Sequence, residues 1–454
     1  MKRHKANRET NAYKRISNVI TVASATPRRW YRLCALRSIT LFGAGCALCC
    51  AAVASPKIAN VKLSQDGHRR LLIDYALDAD AVVTFDVMTN GVSIGRDLLE
   101  TFTGDYGLVK AGARRIEWDA RANWPDRTSP NMTASVIAWS LDSPPDYMIV
   151  DLVHSNVNWY ASEADIPGGT VLRDEYKTTK LVLRRIHARG IPWRMGRKPT
   201  EATDGYNSYQ HAHEVVLTND YYMGVFELTQ KQYKIIQRIA DSAAGPFVFA
   251  GNDKNPAENI PSTAVNGGEY VRGSPLDYNF VNHGHAVHRS GLFGRLRKIG
   301  GGLCFDLPTS AQWEYACRAG TGTAFNNGCD NSCSDVAWYS GNWSDDPNIT
   351  SNMTHEVGLK TPNAWGLYDM HGNVWEWCVD KASTDAAWFQ SLEEPVGPAV
   401  TASNDNVYRS GGCFNHSLNL ARSASRILKI NWQTESRVGL RVWCACPSFK
   451  MEEE

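Results

Sequence analysis

Several absences narrow what this chain can be. It has no basic surplus: 48 Lys and Arg face 47 Asp and Glu, a formal net charge of +1, so the electrostatic footprint of a nucleic-acid binder is missing. Beyond the short Glu452–Glu454 tail there is no acidic tract. No internal repeat or low-complexity segment appears, which excludes solenoids and arrays. The uncharged run Ser38–Ala54 is short of the ~20 apolar residues that cross a bilayer. Of the 12 cysteines, Cys34, Cys46, Cys49 and Cys50 lie in an N-terminal leader. None of the other eight makes a Cys-x-x-Cys pair, which argues against a zinc ribbon or thioredoxin-type site.

Those eight are Cys304, Cys317, Cys329, Cys333, Cys378, Cys413, Cys444 and Cys446. An even count in an exported chain permits disulfides, but spacing does not give the pairing. Cys329 and Cys333 could close a small loop, whereas Cys444 and Cys446 are too close to pair easily. The chain is long enough, at 454 residues, for two or three domains with sizeable cores. Tryptophan is plentiful at 15 residues. That suggests aromatic-rich loops, or a surface for a glycan-like or peptide-like ligand.

Residues 1–54 read as a secretory signal peptide with a long basic n-region. Arg28, Arg29, Arg32 and Arg37 precede the uncharged run, which ends Ala52-Val53-Ala54, an A-x-A cleavage pattern. The expectation is export to a periplasmic, extracellular or secretory compartment, with membrane attachment only if the leader stays uncleaved. Residues 55–143 alternate with period two: Ile73, Tyr75, Leu77; Val83, Phe85, Val87; Ile116, Trp118. Asn90-Gly91 is a hairpin signal, and Ala134–Leu141 reads as a well-buried strand. Together they predict a small β-sandwich of immunoglobulin-like type. Ser143-Pro144-Pro145 opens a stretch of linker and lead-in strands, 144–184. The main domain follows over 185–447, and 448–454 is a tail.

Within that domain two helices announce themselves by capping boxes. Thr229 with Gln232 precedes Tyr233, Ile236 and Ile239 on one face, and Thr309 with Gln312 precedes Trp313, Tyr315 and Ala316. A lesser helix covers Leu292–Ile299. The densest stretch is Asn363–Asp380, with Trp365, Tyr368, Trp375 and Trp377 broken by Gly366 and Gly372. Asp369, Glu376 and Asp380 lie among them. On spacing alone an aromatic core with solvated acids is the preferred reading. A hard-cation shell of carboxylate oxygens around a glycine turn is the other.

Four segments in order resemble the sulfatase-modifying factor family, whose best-known members are formylglycine-generating enzymes. They are Tyr222–Thr229 with Gln232-Tyr233; Leu307–Ala316; Asn363–Asp380; and Arg409–Arg441, closing on Val438-Gly439-Leu440-Arg441. Met195-Gly196 is similar to the family's opening motif. The resemblance implies an α+β chain with a C-type-lectin-like, formylglycine-generating-enzyme fold, low in regular secondary structure. It also implies a structural calcium ion held by Asp369 and Glu376 side chains and the Gly372 and Val374 carbonyls. Asp369 stands where some members carry a side-chain amide. Arg422, Arg426 and Arg441 match recurring arginines, read as structural forks between carbonyls and carboxylates.

The chemistry departs from the family. Its oxidases hold copper(I) through a cysteine pair shortly after a Gly-Gly, because soft thiolates select that ion. Here the segment runs Gly411-Gly412-Cys413-Phe414-Asn415-His416-Ser417-Leu418-Asn419-Leu420-Ala421. One register puts Asn415 and Leu420 in the thiol positions; the other puts His416 and Ala421 there. Copper chemistry is therefore not expected, and Cys413 with His416 is only a weak catalytic candidate. His283, His285 and His288, or His211, His213 and Glu214, could form other metal clusters, but both sit in loop-like sequence. The expected function is a secreted, calcium-stabilised binding or scaffold protein for an unidentified protein, peptide or glycan ligand. Its alternatives are the formylglycine-generating oxidase, which would convert a sulfatase cysteine using oxygen, and an iron enzyme using the histidine cluster.

Overall fold

The structure, a computed structural model, describes residues 55–447 apart from 67, 96–97, 100, 126–128, 130, 204, 206–209, 244, 261–264, 266–286, 347–350, 382–405 and 431–433. The predicted leader and tail lie outside the described residues.

The N-terminal strands are β1 (Ile58–Gln65), β2 (Arg70–Leu77), β3 (Ala81–Thr89), β4 (Val92–Ser93), β5 (Phe102–Gly104), β6 (Gly107–Val109), β7 (Gly112–Asp119) and β8 (Met132–Trp139). One sheet runs β1-β2-β7-β5; in the other, β3 pairs β8 along one edge and β4 and β6 along the opposite edge. Period-two alternation puts every second side chain on one face. Ile73, Tyr75, Leu77, Val83, Phe85, Val87, Ile116 and Trp118 accordingly share one core. Asn90-Gly91 does close the β3–β4 hairpin, with both residues at positive φ (53° and 77°), as a two-residue primed turn requires. The strand expected to be well buried, β8, is only half-buried. Its one ladder among the described residues is with β3, which leaves it at a sheet edge.

The main domain adds β9 (Tyr147–Asp151), β10 (Asn156–Tyr160), β11 (Lys180–Ile186), β12 (Pro192–Met195), β13 (His213–Val216), β14 (Tyr221–Gly224), β15 (Phe305–Asp306), β16 (Ala337–Trp338), β17 (His371–Gly372), β18 (Trp375–Lys381), β19 (Asn406–Ser410), β20 (Arg426–Ile430), β21 (Val438–Gly439) and β22 (Trp443–Ala445). A six-stranded sheet runs β10-β9-β11-β14-β22-β15, and a four-stranded sheet runs β20-β19-β18-β21. Short pairs β12–β13 and β16–β17 complete the set. With only a few short helices, the chain is α+β.

Both capping boxes form as the sequence predicts. The Thr229 and Thr309 hydroxyls accept from the Gln232 and Gln312 amides, and each Gln side chain returns to the cap N–H. The Ser310–Arg318 helix is buried on every side, so its position is fixed by the core and not by one amphipathic face. The Leu292–Ile299 helix has the predicted bounds.

The Ser143-Pro144-Pro145 stretch, expected as a linker, is a tied seam. Arg185 donates to the Pro144 carbonyl (2.6 Å), and the Tyr222 hydroxyl donates to that of Pro145. Arg185 is itself held by Asp220 at 2.7 Å. The reverse face of β3 also packs on the main domain: Val82 shares a cluster with Trp159 of β10. All eight cysteines among the described residues are free thiols, Cys329 and Cys333 included. Among the described residues no helix is long and apolar enough to cross a membrane.

Candidate functional site

Asn363–Asp380 folds tightly because Gly366, Asp369, Gly372 and Asn373 all take left-handed backbone, with φ of 76°, 56°, 78° and 55°. Asx side chains tolerate that region better than most. The turns bring Asp369 and Glu376 inward instead of leaving them solvated: their exposures are 2% and 1%. Glu227, which follows β14, joins them at 0%.

One guanidinium serves this acid cluster. Arg441, at 0% exposure, grips Glu376 through Nε (3.1 and 3.0 Å) and Nη2 (2.7 Å). Its remaining donors reach the carbonyls of Gly224 and Val225 (3.0 Å each) and Tyr368 (2.8 Å). Trp313 Nε1–H completes Glu376 at 2.6 Å. Glu227 accepts from the Asn373 side chain (2.7 Å) and the Val374 amide (3.2 Å). Asp369 accepts from the Gly358 amide through Oδ2, while its buried Oδ1 has no hydrogen-bond partner. Burial, then neighbouring carboxylates, push Glu227 well above the usual carboxylate range. Burial likewise raises Asp369 to about 6, against pulls from the Gly358 amide and Arg441.

These residues fit a hard cation in part. The orphaned Asp369 oxygen and the excess of carboxylates over guanidinium favour one. Glu376 is less available, since Arg441 and Trp313 already occupy both its oxygens. The structure thus buries the predicted Asp369 and Glu376 within electrostatic reach of each other and adds Glu227, which sequence reasoning did not single out; of the two predicted carbonyl donors, Val374 meets Glu227 through its amide, and Gly372 donates its amide to the Gly411 carbonyl. A carboxylate enclosed by Val225, Phe226 and Leu228 was the signal that could have found Glu227.

The other arginines behave as forks. Arg426 and Arg318 flank the buried Glu314 (3.4 and 2.8 Å), which also accepts from the Gly196 amide at 2.8 Å. Arg422 meets Glu201 and Gln210, each at 3.1 Å.

Cys413 is fully buried, its thiol pushed up to about 12 by burial and donating to Asn415. His416, half-buried on the same segment, does not touch that thiol. Its Nδ1 lies 3.1 Å from Trp375 Nε1, and its Nε2 lies 3.2 Å from Arg437 Nη1. Burial and the two nearby arginines lower His416 to about 4. Of the histidine clusters, His283 and His285 lie outside the described residues, and His288 Nδ1 is 2.7 Å from the Ser290 hydroxyl. His213 and Glu214 are consecutive on β13 and so point to opposite faces, while His213 Nδ1 is tied to the His211 carbonyl at 2.9 Å. Among the described residues no group of three or more His, Cys, Asp or Glu side chains is arranged to hold a metal ion.

A main domain of mixed sheets and few helices, knotted by a buried Glu–Arg fork, is the class of protein the fold and site define. The sulfatase-modifying factor enzyme 1-like domain model matches residues 166–445, and the chain belongs to that family. It is 29% identical over 230 residues to chaperone protein LppX of Paenibacillus barcinonensis, covering 45% of this chain and 73% of that one. It is 30% identical over 143 residues to the formylglycine-generating enzyme of Streptomyces coelicolor, covering 30% of this chain. That match spans 45% of the enzyme's length. Among solved structures, PvdO from Pseudomonas aeruginosa is 20% identical with a TM-score of 0.45, over 58% of this chain and 94% of that one.

Proposed function

We propose that this is an exported protein whose formylglycine-generating-enzyme-like domain binds a protein, peptide or glycan ligand and does not oxidise a cysteine. One observation carries the reading. In the segment Arg409–Arg422, just after Gly411-Gly412, there is a single, buried, high-pKa thiol, Cys413, and neither register of the segment supplies a second. Copper(I) needs soft, accessible thiolates in a pair to become reactive toward oxygen. The test is to incubate the purified protein with copper(I), oxygen and a Cys-x-Pro-x-Arg peptide. No aldehyde above the enzyme-free background is expected. Aldehyde formation would establish the oxidase and end this proposal.

Export is supported by the basic leader and its Ala52-Val53-Ala54 end. The two facing antiparallel sheets support an immunoglobulin-like sandwich as the N-terminal module. In the main domain, a structural calcium ion would be held by Asp369, with Gly372 and Val374 carbonyls and Glu376, the last shared with Arg441. Calcium would supply the positive charge that the acid cluster lacks.

The pH dependence gives this reading a sign. Asp369 is raised from 3.8 to about 6, so without a cation the folded state holds its proton longer than the unfolded chain. Stability in chelator is then greatest below about pH 4 in this contribution and falls as pH rises through about 6. Bound calcium removes that loss. At pH 7, calcium at a hundred times its Kd is expected to add about 2.7 kcal/mol, read as a shift in the urea midpoint. Below pH 5 protons compete and the gain should shrink. A calcium effect that grows toward acid pH, or none at pH 7, would refute the site.

A further inference from the structure

Where the N-terminal strands meet the main domain, a cleft opens between β3, β5 with its turn into β6, and β10. Five aromatic side chains line it, those of Phe85, Phe102, Tyr106, Trp159 and Tyr160, together with Asn158. It encloses ≈ 360 Å³ counting the solvent at its mouth, near the lower end for small-molecule sites. That is room for one ring and not for a folded segment of chain.

The walls are rigid. Phe102 meets Phe85 and Tyr106 edge-on, with centroids 4.9 and 4.5 Å apart. Trp159 is 6% exposed, and its backbone is fixed opposite Met148 in the β9–β10 ladder. Its six-membered edge rests on the β6 backbone, where a Cβ on Gly107 would lie only 2.6 Å from Cζ3. The indole therefore cannot swing round to find a partner. Yet its Nε1–H, on the edge away from Gly107, is buried and has no acceptor among the described residues.

An indole N–H can only donate, and burying it unpaired costs free energy that a bound acceptor would return. Two further polar groups stand beside it. The hydroxyl of half-buried Tyr106 is held weakly, 3.4 Å from Asn156 Oδ1, and Asn158 brings a carboxamide with two donors and an acceptor. An alkyl group would pack on the rings but leave the indole unsatisfied. A neutral sugar ring meets both demands, with C–H groups to lie against aromatic side chains and hydroxyls that accept as well as donate.

We propose that this cleft binds a neutral pyranose, Trp159 Nε1–H donating to one ring hydroxyl and the Asn158 carboxamide pairing with another. This rests on the binding role above and gives it a ligand class and a place in the fold. The aromatic wall of Phe102, Tyr106 and Tyr160 takes the C–H surface of the ring. Gly107 acts at one remove, since its bare backbone is what lets the Trp159 ring sit as it does.

The test uses the full chain labelled with nitrogen-15 at tryptophan, the Trp159 indole signal being the one lost in Trp159→Phe. Methyl pyranosides of glucose, galactose, mannose and N-acetylglucosamine are titrated singly. At least one should move that signal saturably, whereas cyclohexanol and N-acetylprolinamide should bind at least ten-fold more weakly. Affinities in the variants are read by saturation transfer to the sugar. Trp159→Phe, which keeps an aromatic wall but loses the N–H, should weaken binding about ten-fold. Asn158→Ala, at a half-buried position outside the core, should weaken it at least three-fold. No saturable response to any of the four sugars overturns the site, as does undiminished affinity in both variants. A response to N-acetylprolinamide alone would make the cleft a peptide site and overturn it equally. Failure here, with no aldehyde in the oxidation assay, removes the sugar site and leaves the binding role standing. Aldehyde formation removes the binding role whatever the titration shows.

Discussion

Arg441→Met is expected to cost the domain ~3–5 kcal/mol, enough to leave little folded protein if the parent sits in the usual range of 5–15 kcal/mol. The reason is what stays behind. Met fills some of the volume of the Arg441 side chain but returns no charge. Glu376 would keep only Trp313, and Glu227 and Asp369 would lose their nearest guanidinium. Three main-chain carbonyls, of Gly224, Val225 and Tyr368, would lose the donors that now reach them. The measurement is equilibrium urea unfolding at pH 7. A double-mutant cycle with Glu376→Gln separates the charge effect from the packing effect: the double variant should cost clearly less than the sum, because removing the buried acid relieves the unpaired charge. A loss below about 1 kcal/mol for Arg441→Met would mean that the fork is only a surface-like ion pair, and the account of the acid cluster would fail.

Gly372→Ala is the second large effect, and it has an internal control. Gly372 lies at φ +78°, and a Cβ there would sit 1.8 Å from the Trp338 carbonyl oxygen. That oxygen cannot give way, since it accepts from the Asn373 amide at 2.9 Å and belongs to the parallel β16–β17 pairing. A backbone clash added to left-handed strain should exceed ~4 kcal/mol. Gly366 has nearly the same φ, +76°, but its nearest obstacle is the Tyr147 hydroxyl at 3.7 Å. Gly366→Ala should therefore cost only the left-handed penalty, about 1–2 kcal/mol. Comparing the two thermal midpoints isolates the close approach from the conformation. Equal losses would show that the β16–β17 contact adjusts freely.

Much of the scaffold was legible residue by residue. The Thr229 and Thr309 caps, the alternation through Ile73, Tyr75 and Leu77, and the Asn90-Gly91 turn all depend on neighbours a few positions away. Local chemistry fixes them, and the structure reproduces them. Where burial depends on distant elements, sequence reading fell short. The strand around Val136 looks apolar enough for a sheet interior, yet β8 lies at an edge and stays half-buried. Pro144 and Pro145 look like a loose connection, yet Arg185 and Tyr222 reach back and tie their carbonyls down.

The site divides in the same way. The family motifs, the missing thiol partner for Cys413 and the dense aromatic stretch with its acids are properties of the order of residues, and no folding was needed to find them. Whether Glu376 faces a guanidinium and why Glu227 joins the acids were decided only by tertiary structure. Glu376 meets Arg441 from 65 positions away, and Glu227 meets Asn373 across 146. A buried charge takes its state from whatever surrounds it in space, and that neighbourhood is assembled by packing between strands far apart in the chain.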